Sequence, residues 1–257
     1  MASKYSKTEK TVTTTIKPGD PVITQPNTFS TALELKGTAP LIQNNFSQKA
    51  IEQMLRKHMG LAVTREVKKP SDCVENATIR NVKGDVCIPP MALKKAMLTA
   101  ASGVKTLKKT QLRTSIYIVG QSLPIKYSKM VPRMDMVRTS GMSRTPDVRF
   151  RPAFDEWSVR VVIEYSDTLA VQTVIDLVQR AGSVGLGEWR PEKDGVFGTF
   201  KIERAITLMK EITEVRKACS VSLVPLVIPP WAMDLEISPD LMRRIANSNT
   251  EEDEESA

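Results

Sequence analysis

Residues 157–165 read Trp-Ser-Val-Arg-Val-Val-Ile-Glu-Tyr. Trp157, Val159, Val161, Ile163 and Tyr165 alternate with Ser158, Arg160, Val162 and Glu164, the period of a strand that lays one face on a core. A strand of this kind needs strand neighbours and a covering layer. The rest of the chain supplies both in a definite order. Leu33 to Ile42, broken by Gly37 and Pro40, reads as a bent strand, with the body of the protein starting near Phe29. Residues 47–59 follow as a helix in which Ile51, Met54, Leu55, His58 and Met59 share one face, with Ser47 as N-cap and Gly60 as C-cap. Residues 61–77 are charged and read as irregular. Lys83-Gly84 turns a hairpin between 78–82 and 85–88, and a second helix runs from Met91 to Gly103.

Strands are expected at 113–119 and 122–127, a third helix at 169–181, and a strand at 200–204, whereas 205–218 fits helix or strand equally. This order is α+β and lacks the regular alternation of a doubly wound sheet. A helix followed by a strand on one antiparallel sheet, occurring twice, fits a ferredoxin-like core with insertions. The expected organisation is an N-terminal arm over 1–28, one domain over 29–236, a short helix over 237–249 and an acidic tail over 250–257.

Charge points to the partner. The chain has 37 Lys and Arg against 29 Asp and Glu, a formal +8. Five of the acids are Glu251–Glu255, so the residues ahead of them carry 37 basic against 24 acidic side chains, +13. A basic body with an acidic tail suits a polyanionic partner, most often nucleic acid. The tail is expected to compete for the same cationic groove. No apolar run is long enough to cross a membrane and the first residues have no secretory pattern, so a cytoplasmic protein is expected. Cys73, Cys87 and Cys219 are three widely spaced thiols, neither a disulfide framework nor a zinc site. The single histidine, His58, excludes His-rich metal sites, and its place on an apolar helix face or at the helix end speaks against catalysis. No cofactor and no catalytic constellation is expected.

Two segments carry the binding chemistry. Residues 126–151 read as a long basic loop, with Lys126, Lys129, Arg133, Arg138, Arg144, Arg149 and Arg151 against Asp135 and Asp147, a net +5 over 26 residues. Extended basic backbone tracks a phosphate chain, arginine adds bidentate contacts, and Phe150 and Phe154 offer flat partners. The second segment, 182–198, is a loop containing Gly185, Gly187, Gly195 and Gly198, with Trp189, Arg190 and Lys193 at its tip. Its glycines permit positive φ, so successive N–H groups are expected to form an anion nest. It is neither a Walker A loop nor a Rossmann fingerprint, because no Gly-Lys-Ser/Thr closes it and it follows a helix rather than a strand.

The piece from Gly185-Leu186-Gly187 to Gly195-Val196-Phe197-Gly198 resembles the glycine-rich loop of the RAMP superfamily of CRISPR proteins. Ile88-Pro89-Pro90-Met91-Ala92-Leu93-Lys94-Lys95-Ala96 resembles the helix start of that superfamily's backbone subunits, and Leu35-Lys36-Gly37-Thr38-Ala39-Pro40-Leu41 their first strand. Met91 and Ala92 stand where those subunits have two serines. The run Gly185-Leu-Gly-Glu-Trp-Arg-Pro-Glu-Lys193 is also similar to a family of tailed-phage proteins. The RAMP resemblance implies a modified RRM or ferredoxin-like core and assembly on RNA as filaments, and it adds Lys94 and Lys95 to the binding set. The expectation is a non-enzymatic, phage-type protein that binds single-stranded DNA or RNA with little sequence preference, as an oligomer or filament. Two alternatives stand beside it: a metal-independent RAMP-type ribonuclease using His58, and a structural assembly protein that binds no nucleic acid.

Overall fold

The computed structural model describes residues 27–62, 69–104, 107–138 and 145–233. In chain order its elements are β1 (Thr28–Gly37), β2 (Leu41–Ile42), α1 (Gln48–His58), α2 (Pro70–Ala77), β3 (Cys87–Ile88), α3 (Pro90–Ala100), α4 (Lys109–Ser115), β4 (Ile116–Ile118), β5 (Leu123–Lys126), β6 (Lys129–Arg138), β7 (Pro146–Asp155), β8 (Ser158–Ser166), α5 (Val171–Val184), β9 (Phe200–Ile206), α6 (Met209–Cys219) and α7 (Pro230–Met233). The fold is mixed α+β with two sheets. In the larger sheet β8 is central: it pairs with β1 on one side and with β4 and β5, end to end, on the other. β9 lies outside β1 and β3 outside β5. The smaller sheet has the order β2-β7-β6.

The alternation in β8 dictates this layering. Val159, Val161, Ile163 and Tyr165 are buried, and in register with Leu35 and Leu33 of β1 they pack under α3 and α5. Leu93 and Met97 of α3 and Val174, Leu177 and Val178 of α5 complete the core. Each such side chain contributes about 1.5–3 kcal/mol on burial. Trp157 ends the series, fully buried, with its indole Nε1–H donating to the Ala39 carbonyl at 2.8 Å. The opposite sheet face is a charge lattice. Glu34 sits between Arg160 (3.0 Å) and Arg204 (2.8 Å), Arg204 also meets Glu211 (3.2 Å), and Arg216 of α6 meets Glu164 (2.8 Å). Burial works against ionisation of Glu34, but the two guanidinium groups outweigh it and hold the carboxyl below its ordinary value.

Several local expectations need correction. Ser47 does cap α1, accepting from Ala50 N–H at 3.1 Å, and Gly60 follows its end at φ +68°. No residue of α1 is buried, however, and His58 is exposed as the last residue of the helix rather than held in a core. Within 61–77, residues 70–77 are helical, anchored by Val74 and Ala77. The stretch read as a strand from 113 is helix to Ser115: Leu112 docks α4 on the core, and only Ile116–Ile118 join the sheet. Of the segment 205–218, residues 205–206 end β9 and 209–218 belong to α6. The basic segment is no loop but a long hairpin, β6 and β7, paired from Lys129↔Asp155 to Arg138↔Pro146. The arm over residues 1–26, the helix expected over 237–249 and the acidic tail lie outside the described residues.

The thiols give a direct test of this packing. Cys87 and Cys219 are buried and Cys73 is half-buried. Burial pushes the Cys219 thiol up to about 11 and raises Cys87 as well. At neutral pH a mild thiol reagent is expected to label Cys73 alone in the folded protein and the other two only on unfolding. Fast labelling of all three would contradict the packing of β3 and α6.

Candidate nucleic-acid interface

The loop after α5 is stitched to the connection between β1 and β2. Leu186 N–H donates to Gly198 C=O (2.9 Å), Gly198 N–H to Pro40 C=O (2.8 Å) and Glu188 N–H to Ile42 C=O (2.9 Å). Its tip closes on itself through Phe197 N–H to Trp189 C=O (2.9 Å) and Gly195 N–H to Arg190 C=O (3.1 Å). Glycine is required where these backbones meet. At Gly198, φ +70°, a Cβ would strike the Leu186 carbonyl, and at Gly187, φ +75°, the Ile42 carbonyl. The anion nest expected of Gly185, Gly187, Gly195 and Gly198 is therefore not what the loop presents. The N–H groups of Gly185, Gly195 and Gly198 all donate within the protein. The glycines serve close backbone approach instead.

This stitching leaves a cleft of about 420 Å³ between the loop, the first turns of α3 and the residues after β2. Its charged lining is Lys95, Arg190, Glu188 and Glu192. Arg190 is not free: Nε and Nη2 reach Glu192 at 2.8 and 2.7 Å, and Nη1 donates to Gly187 C=O at 2.8 Å. The Thr99 hydroxyl of α3 donates to the other Glu192 oxygen at 3.2 Å, tying loop to helix. Burial pushes the Glu192 carboxyl up, but Arg190 and Thr99 hold it below its ordinary value. Between lining residues Glu188 and Arg190 stands Trp189, 36% exposed at φ +52°. A bulky residue in left-handed backbone stores strain of about 1–3 kcal/mol, a feature that clusters at ligand sites.

The hairpin meets the loop at its base. The Arg133 guanidinium lies 4.7 Å from the Phe197 ring centroid, and Arg151 lies 4.0 Å from Glu188. Register places Arg133, Asp135, Arg149, Arg151 and Asp147 on one hairpin face, where they neutralise one another. Asp135 takes Arg133 at 2.6 Å and Arg151 at 3.5 Å, and Asp147 lies 3.6 Å from Arg149. Arg151 is only 2% exposed, and its Nε has no hydrogen-bond partner. It is an internal latch that cannot reach a strand in solvent, which removes it from the expected binding set. The other hairpin face exposes Met134, Met136 and Val148, with Phe150 half-buried opposite Met134.

The expected site residues therefore divide. Lys95 and Arg190 line the cleft, while Trp189 and Lys193 are exposed on the loop that borders it. Lys126 and Lys129 are exposed at the hairpin foot. Arg138 is exposed five residues beyond Arg133, roughly 17 Å farther along the strand. Arg144 lies outside the described residues. Lys94 points the other way across α3, donating to the Arg113 carbonyl at 2.8 Å. The sequence carries one further signal: residues 86–128 contain seven Lys or Arg and no Asp or Glu, so a charge surplus begins well before the hairpin. His58 does not line the cleft. Among the described residues no helix is long and apolar enough to cross a membrane.

No family model matches the chain, and no curated protein matches it. Among solved structures it is similar to a chain in the cryo-EM structure of the type III-B Cmr-beta complex bound to cognate target RNA. The identity is 11% and the TM-score 0.41, and the match covers 69% of this chain and 60% of that one, less than two thirds of the relative's length.

Proposed function

We propose that the protein is a non-enzymatic binder of single-stranded nucleic acid, taking a base against Trp189 at the cleft and phosphates on the surrounding unpaired cations. The observation that carries this reading is Trp189 itself. An exposed indole is kept in strained backbone between two residues that line the cleft, on a loop that also carries the exposed Lys193, and neither Lys193 nor the cleft's Lys95 forms an ion pair among the described residues. Aromatic stacking with nearby cations is how single strands are held without sequence readout. The fold supports the reading. We take the order β9-β1-β8-β4, with α3 leading into β4 and α5 into β9, as two interleaved β-α-β units, a ferredoxin-like core. An RRM-type stacking surface is a poor fit, because β1 and β8 carry no aromatic residue on the sheet face away from α3 and α5. Stacking would therefore fall to the loop. The apolar face of the hairpin, Met134 to Phe150, is suited to self-association along a strand.

Mobility shift at low salt on matched single-stranded DNA, single-stranded RNA and duplex tests the proposal. Binding of one or both single strands in preference to duplex is expected, with the strand left intact. Preference for duplex, or cleavage of the bound strand, would contradict it.

A further inference from the structure

Most arginines in the structure carry a carboxylate: Arg80 meets Glu75, Arg160 and Arg204 meet Glu34, Arg190 meets Glu192, and Arg216 meets Glu164. The face formed by α3 and α4 is built differently. Lys94 Nζ is satisfied by a backbone carbonyl, that of Arg113 near the end of α4, and not by an acid. Lys108, Lys109 and Arg113 are exposed and form no ion pair among the described residues. Lys109 and Arg113, four residues apart, lie on the same side of α4, where like charges disfavour the helix. That helix is anchored to the core by Leu112 alone, which shares a crevice with Lys94, Met97 and Leu98 of α3. A cluster of cations with no internal counter-charge costs stability in the free protein and gains it only when an external polyanion arrives.

The cluster is also placed to continue the cleft. Lys95 and Ala96 of α3 line the cleft, while Lys94, Met97 and Leu98 of the same helix face α4. The two surfaces are thus separated by the width of one helix, about 10–12 Å. We propose that Lys94, Lys108, Lys109 and Arg113 form a second phosphate-binding surface, over which the sugar–phosphate backbone of a strand runs on leaving the cleft at Trp189. The inference rests on the single-strand reading above and extends it: the cleft holds a base, and the α3–α4 face holds the phosphates of nucleotides beyond it. It also accounts for residues 86–128, ahead of the hairpin, which carry seven Lys or Arg and no acid, whereas Arg133, Arg149 and Arg151 of the hairpin share Asp135 and Asp147.

The test compares the wild type with Lys108→Gln/Lys109→Gln/Arg113→Gln and with a control of equal charge loss, Lys201→Gln/Lys210→Gln/Lys217→Gln, on β9 and α6. All six side chains are exposed, and thermal unfolding checks that each variant is folded. Affinity is measured by fluorescence anisotropy against single strands of about 5 and about 20 nucleotides over a salt series. The α4 variant is expected to bind the longer strand about tenfold more weakly, with a log–log salt slope shallower by about 2 for three lost contacts. It should bind the short strand as the wild type does, and the control should change neither. Unchanged binding of the longer strand by the α4 variant overturns the inference alone, as does an equal loss in the control, which would make the effect one of net charge. Failure of the wild type to bind either strand overturns the parent reading and this inference with it.

Discussion

Asp135→Ala is expected to destabilise the protein by about 3–5 kcal/mol, a large share of the stability of a domain this size. The carboxylate is buried, and both Arg133 and Arg151 depend on it. Its removal strands Arg151, 2% exposed, with only Glu188 at 4.0 Å. It also frees Arg133 from its seat over Phe197, loosening the hairpin from the glycine loop. The cost is mostly the burial of an uncompensated charge, so Asp135→Ala/Arg151→Met should recover much of it, since a methionine of similar reach needs no partner. Urea unfolding of the two single variants and the double gives the coupling directly. A loss under about 1 kcal/mol for Asp135→Ala would show that the carboxylate does not latch the hairpin.

Trp189→Gly should separate binding from folding. Glycine relieves the left-handed backbone, and that relief offsets part of the packing lost with the indole, so the melting temperature should move little. Single-strand affinity should fall by about 1–3 kcal/mol, roughly 5- to 150-fold, the value of one base stacked on an aromatic side chain. Trp189→Phe should retain most of the affinity. A Trp189→Gly protein that binds as tightly as the wild type would show that the strained indole serves the loop and not a ligand.

The core was legible in the sequence because its information is local. The alternation from Trp157 to Tyr165 specified which face of β8 is buried, and Ser47 specified where α1 begins. What was not legible depends on distant partners. The N–H groups of Glu188 and Gly198 looked available because their acceptors, Ile42 and Pro40, stand some 150 residues earlier. The basic residues of 126–151 looked like one binding surface because composition adds charges without register. Pairing puts Asp135 between Arg133 and Arg151 and leaves the methionines facing out. Residues 113–115 belong to a helix despite their β-prone continuation, because the docking of Leu112 outweighs local preference.

The salt dependence of wild-type binding to a single strand of about 20 nucleotides tests the central claim most directly. If Lys95, Lys193 and the α3–α4 cations displace counterions from five or six phosphates, log K should fall against log salt with a slope of about −3.5 to −4. Binding should persist, weakened, at high salt, where only the stacking on Trp189 remains. A slope near zero, or no measurable binding even at low salt, would contradict the account.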